Sequence, residues 1–175
     1  MLRSSAEKGS WVFGFGSDQM SNRLIYIARV TEKMTGGQYY RESRFKKRPD
    51  CIYRWHGKRL NWKPGARFHG PEDAGRDVGA FPSYRKAAVL LSDNFRYFGG
   101  NGTTDYKKRY PLLTKTVEKM KQGHRVNHSA NLRRELLGLQ REIWRRHPKK
   151  KILGRPTHRD RTLRCNAEDP SCCSE

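Results

Sequence analysis

Trp11-Val12-Phe13-Gly14-Phe15-Gly16-Ser17, followed by Arg23-Leu24-Ile25-Tyr26-Ile27-Ala28-Arg29-Val30, decides the fold together with a distant third stretch, Val89-Leu90-Leu91-Ser92-Asp93-Asn94-Phe95-Arg96-Tyr97-Phe98-Gly99. Each is short, aromatic or β-branched, and broken by Gly, Ser, Asp or Asn. Such stretches read as strands of a small curved sheet, with glycine where a strand bends or another group comes close. In residues 23–30 the alternation sends Leu24, Tyr26, Ala28 and Val30 to one face and Arg23, Ile25, Ile27 and Arg29 to the other. Both sets are partly apolar, which predicts a central strand covered at its middle.

Working outward, residues 1–10 read as an edge approach closed by Gly9, and residues 17–22 as a polar turn. A short helix is expected near Thr35 or Gly37. Residues 51–55 and 58–62 form a hairpin around His56-Gly57. Residues 63–80, rich in Gly, Pro and charge, read as a long loop, and loops of that length are often functional. Residues 112–121 predict a helix stopped at Gly123. Ser129 caps a longer helix to Arg146, with Leu132, Leu136, Leu139 and Ile143 on one stripe and Pro148 ending it. The fold class is α+β: a small PUA-like curved β-sheet or barrel with flanking helices and a basic C-terminal helix. The divisions are a β-rich domain over 1–128, a basic amphipathic helix over 129–148 and an unstructured basic, Cys-bearing tail over 149–175.

Only 34% of residues are hydrophobic and mean hydropathy is -1.01, so the core is small. The net charge of +21 demands counter-charge, which a polyanion supplies. It is unevenly spread. Residues 1–106 hold 19 Lys and Arg against 10 Asp and Glu, whereas residues 107–164 hold 19 against 4. Nucleic acid, DNA or RNA, is therefore the expected partner. Cys165, Cys172 and Cys173 crowd the end of the chain without paired metal-ligand spacing, and Cys51 stands alone, so no metal is expected. Residues 1–15 lack the apolar core of a signal peptide and no run suits a spanning helix. The expectation is a soluble protein of a reducing cytoplasm, off the membrane.

These pieces resemble, in order, the second of the nucleotide-modification-associated domain families, found in phages and bacterial conflict systems. The likeness runs from Gly9-Ser10-Trp11 through residues 11–17 and 23–33, then Tyr39-Tyr40, residues 44–49, Ile52-Tyr53, His69 and residues 89–99, to Gly123-His124-Arg125, and covers roughly residues 9–128. The family begins with an additional strand and a Cys- and Lys-Pro-containing segment. Only ten residues precede Trp11 here, so the chain reads as shortened or divergent at its start, and Ser10 replaces the family's usual Asp. The resemblance implies association with nucleic-acid modification and no established reaction. The turn–strand pattern is in turn similar to PUA-like folds, including EVE and YTH domains, which hold modified bases in aromatic pockets.

A flipped or single-stranded base needs flat apolar surfaces and polar groups at its edge. Trp11, Tyr53, Trp55, Trp62, Phe95 and Tyr97 are the aromatic candidates, with Ser17, Asn94 and Asp93 for the edge. The alternative is that the strand aromatics are core; Trp55 and Trp62, set among Arg54, Lys58, Arg59 and Lys63, favour exposure. Phosphate contacts need cations along a path. Arg44, Lys46, Lys47 and Arg48 form one cluster; Arg133, Arg134, Arg141 and Arg145 form another, continued by Arg146 and residues 149–151. The alternative for either is a solvated face. For catalysis the candidates are His69, grouped with Glu72 and Asp73, His124 near His128, and Asp93. No P-loop, dinucleotide fingerprint or nucleophile elbow occurs, and no cofactor is expected. Three readings remain open: a module that reads a base and holds phosphates, an enzyme acting on a nucleotide or modified base, and an adaptor docking a modification enzyme.

Overall fold

The computed structural model describes residues 2–66, 69–120 and 123–156. In chain order the elements are α1 (Leu2–Ser5), β1 (Trp11–Phe15), β2 (Leu24–Arg29), β3 (Glu32–Met34), β4 (Tyr53–His56), β5 (Arg59–Trp62), α2 (Ala74–Asp77), β6 (Val89–Leu91), β7 (Asn94–Tyr97), α3 (Pro111–Lys119) and α4 (Ala130–Arg146). The class is α+β.

One long antiparallel ladder organises the chain. β2 pairs with β7, Tyr26 opposite Tyr97 and Arg29 opposite Asn94. β3 pairs with β6 in the same step, Glu32 opposite Leu91 and Met34 opposite Val89. The register does not slip across the break at residues 30–31, where Thr31 N donates to Leu91 O at 2.9 Å. β1 adds to β2, giving the order β1-β2-β7, and β4 pairs with β5 as the expected hairpin. The described strands thus lie in open sheets of three, two and two, and they do not close into a barrel.

The expected alternation of β2 fails at one residue. Gly14 faces Tyr26 and Phe15 faces Leu24, so Ile25 is the extra residue of a bulge. The bulge turns Leu24 onto the face of Ile27, and both are fully buried against α3 and α4 among Leu113, Val117, Leu132, Leu136, Leu139 and Ile143. The opposite face packs Val12, Tyr26 and Val30 against Leu2, Ala6 and Leu90. Gly14 is required there, because a Cβ would stand 2.2 Å from the Tyr26 ring. Residues 35–88, spliced between β3 and β6, carry a separate core around Tyr39, Tyr40, Phe45, Tyr53, Leu60 and Tyr84.

α4 is tied at both ends. Ser129 Oγ accepts from Leu132 N at 3.3 Å, as the cap requires. Arg96, 3% exposed, donates from Nε to His147 O at 2.6 Å and from Nη2 to Pro148 O at 2.9 Å, with its guanidinium 4.4 Å above the Trp144 ring. That buried cation suits the negative end of the helix, and it redirects the chain. Residues expected to loosen from 149 instead run beside β7. Tyr97 N donates to Lys151 O at 2.8 Å and Leu153 N to Tyr97 O at 2.7 Å, and Ile152 pairs parallel with Tyr97. Gly154 permits the approach, since a Cβ would lie 2.1 Å from Phe98 O. The rest of the expected tail, with Cys165, Cys172 and Cys173, lies outside the described residues.

Candidate functional site

A cavity of about 830 Å³ follows β1, the edge strand of the β1-β2-β7 sheet. Trp11, Phe13 and Phe15 line it on the helix side of the sheet together with Leu113 and Val117 of α3 and Leu132 and Leu136 of α4, and Tyr26 lines it from the other face. Ser17, Asp18, His124, Arg125 and His128 are among its polar lining. The local folding explains this polar rim. α3 stops at Lys119 and α4 starts only at its Ser129 cap, so residues 123–128 cross between them without helical hydrogen bonds of their own.

His128 is the unusual member. Its Nδ1 is buried and has no hydrogen-bond partner among the described residues. Burial first, then the charges of Arg125 and Arg133, hold its imidazole below the ordinary value. Burial and the charges of Arg125 and Arg133 thus favour its neutral form, with one ring nitrogen unpartnered among the described residues. Arg125 is fixed by donating Nε to Asn127 O at 2.8 Å. Aromatic rings in the lining, a cationic rim and an unpartnered ring nitrogen together suit a flat heteroaromatic ligand carrying an anionic group.

Of the base-binding candidates, this groove brings together Trp11, Ser17 and Tyr97. The others lie elsewhere. Tyr53 is 1% exposed and donates its hydroxyl to Asp77 Oδ2 at 2.9 Å. Trp55 donates Nε1 to Gly37 O at 3.0 Å with the Arg41 guanidinium 4.0 Å over its ring. Trp62 donates to His69 O at 3.0 Å. Asn94 accepts Trp144 Nε1 at 3.1 Å, and Phe95 stands opposite Ala28 in the sheet. Of His69, His124 and Asp93, the groove takes in His124 alone; Asp93 sits at the turn before β7, where its N–H donates to Thr31 Oγ1 at 3.2 Å.

His69 pairs with Asp77, not with Glu72 and Asp73. Its Nδ1 meets Asp77 Oδ2, the oxygen that Tyr53 also reaches. The imidazole is 44% exposed and the carboxylate 10%, and His69 holds a left-handed φ of 60°. Nothing in the local sequence marks Asp77 as its partner.

The two basic clusters differ. Arg44 pairs with Glu32 at 2.9 Å and also with Glu42, and Arg48 pairs with Asp50 at 3.1 Å. Lys46 and Lys47 are exposed. Arg133, Arg134, Arg141 and Arg145 are exposed, and none has an ion pair among the described residues. At 3.6 residues per turn Arg134, Arg141 and Arg145 fall opposite the buried Leu132–Ile143 stripe. Arg125 is the residue that sequence reasoning left out of the site, and His128 entered it only as the neighbour of His124; the His124-Arg125 pair so close before the Ser129 cap was the signal.

Among the described residues no group of three His, Cys, Asp or Glu converges as a metal site, and no helix is long and apolar enough to cross a membrane. No curated protein and no solved structure matches the chain. A family model does match, over residues 1–161, and by it the chain belongs to the nucleotide modification associated domain 2 family.

Proposed function

We propose that this protein binds nucleic acid and takes one base of it, read for its modification, into the groove along β1. Arg125 and Arg133 hold the adjoining phosphate, and the outward arginines of α4 carry the neighbouring chain. The PUA-like expectation enters here as a manner of reading, a base held against aromatic rings. The observation that carries the proposal is the His128 Nδ1, unpartnered among the described residues and lining an aromatic cavity beside Arg125, with the charges of Arg125 and Arg133 acting on it. Family membership supports the association with nucleotide modification.

The test is fluorescence anisotropy with matched oligonucleotides, with and without modified cytosine or adenine, across a salt series. A tenfold preference for one modification state that survives high salt, and disappears in Arg125→Ala and His128→Ala, is the expected result. Binding that ignores both the modification and these variants overturns the groove as the reader.

A second reading rests on His69. An exposed imidazole whose Nδ1 is held by a buried carboxylate, itself held by Tyr53, presents Nε2 as a base. On this reading the chain acts on a nucleotide or modified base. Mass spectrometry of nucleic acid incubated with the protein decides it: turnover lost in His69→Ala and in Asp77→Asn supports an enzyme, and products unchanged from buffer alone exclude one.

A further inference from the structure

We propose a second nucleic-acid contact, for single strands, on the surface formed by the β4–β5 hairpin and residues 79–86, with Phe81 as its stacking ring. It rests on the reading that the chain binds nucleic acid and is independent of the groove.

Residues 53–63 and 78–88 contain no Asp or Glu. Arg54, Lys58, Arg59 and Arg85 are exposed on these two segments, and none has an ion pair among the described residues. The segments are joined rigidly, because Leu60 N donates to the buried Tyr84 hydroxyl at 2.9 Å. Phe81 stands 47% exposed in this field. Its ring lies 6.1 Å from that of Tyr84, which lies 5.6 Å from that of Trp55. The Arg59 guanidinium sits 5.1 Å from the Phe81 centroid.

A lone exposed Phe is ordinary on a protein surface. This one is different in its setting, a braced ring among unneutralised cations. That combination attracts phosphates and offers a flat apolar surface at once, which is how single strands are held without sequence preference. A duplex hides its base faces and can use the cations alone. Trp55, the ring that the sequence favours for stacking, is only partly exposed and has Arg41 4.0 Å over it, whereas Phe81 is exposed and has Arg59 over one face at the longer 5.1 Å, so Phe81 is the more open ring of this surface.

The test uses the full chain, an oligo(dT) of about 15 nucleotides and a duplex of matched length. Phe81→Ala is expected to weaken oligo(dT) about tenfold while duplex affinity stays within about twofold, with the salt slope unchanged. Phe81→Trp restores oligo(dT) binding. Arg59→Ala with Arg85→Ala lowers the salt slope by about one for each phosphate no longer neutralised. Unchanged oligo(dT) binding in Phe81→Ala overturns the proposal, and so does an equal loss on both nucleic acids. A wild-type chain that binds the duplex and a modified-base oligonucleotide through Arg125, but is indifferent to Phe81, overturns this second surface and leaves the groove standing. Binding to neither nucleic acid overturns both.

Discussion

Arg44-Phe45-Lys46-Lys47-Arg48 and the arginines of α4 look alike as strings, yet the fold treats them oppositely. The loop arginines are neutralised. Glu32, on β3, reaches Arg44 at 2.9 Å, and Asp50 takes Arg48. Both guanidiniums also lie over the Phe45 ring, at 4.4 and 5.8 Å. On α4 the helix has two acids of its own, and both are turned away from the outward face. Glu135 accepts Leu112 N and Leu113 N, capping α3, and Glu142 accepts the Tyr110 hydroxyl at 2.9 Å and pairs with Arg109 and Arg146. Burial alone would raise the Glu142 carboxyl, but these partners outweigh it and hold it below the ordinary value. Among the described residues no acid pairs with Arg134, Arg141 or Arg145. A count of basic residues is therefore not a footprint; what matters is where the acids have been spent.

The largest expected effect tests that contrast directly. Arg134→Glu, Arg141→Glu and Arg145→Glu together should weaken nucleic-acid binding on the order of a thousandfold at low salt, and lower the salt slope by about three. Arg44→Ala with Arg48→Ala should change affinity by no more than about threefold, since exposed paired charges contribute little. Equal losses from the two sets in an anisotropy titration would break the comparison.

Arg96 is a third kind of arginine, committed to structure. Arg96→Ala leaves His147 O and Pro148 O without their donor and uncovers Trp144, and should cost about 2 kcal/mol in urea unfolding. A cost near zero would mean that the end of α4 and the segment beside β7 are held by the backbone pairing alone.

The sequence told α4, α3, the hairpin and the strands β1, β2, β6 and β7 apart because each rests on a local pattern: the Ser129 cap, the stripe through Leu132 and Ile143, the His56-Gly57 turn, the apolar run before Ser92. It did not reveal the face of Leu24, because a bulge at Ile25 changes the period from within. It did not reveal the strand-like path of residues 151–155, which depends on Arg96 from another element. The site divides in the same way. Trp11, Ser17 and Tyr97 came with the strands, whereas Arg125 and His128 gain their meaning only where the α3–α4 connector meets the edge of β1. Trp55 and Trp62 illustrate the converse: each indole N–H is claimed by a backbone carbonyl distant in its own loop.

A smaller effect concerns the rim. His128 lies below its usual value of 6.5, so between that lowered value and 6.5 the unfolded chain binds more protons than the folded one. Its contribution to stability therefore falls as pH drops through 6.5, and levels off once the folded imidazole is protonated. An anion held between Arg125 and Arg133 offsets those two charges and raises His128, so ligand binding takes up a proton. A dinucleotide, whose phosphodiester keeps its charge throughout, should bind several-fold tighter at about pH 5.5 than at about pH 7.5. His128→Gln should flatten that dependence and His124→Gln should keep it. A slope that survives His128→Gln would move the phosphate away from this rim and return weight to the α4 face alone.

The smallest effect sharpens the opening contrast from the other side. If pairing is what silences the loop, removing the acids should wake it without touching a basic residue. Glu32→Gln with Glu42→Gln frees Arg44, which is half-exposed and needs no rearrangement to reach solvent. The melting midpoint should move by no more than about 2 °C, as expected for exposed ion pairs. Nucleic-acid affinity at low salt should rise about threefold, with the salt slope steeper by up to about one. A freed Arg44 that adds nothing would show that the loop is silent because of where it lies, not because of what it pairs with, and α4 would then owe its role to position as much as to its missing acids.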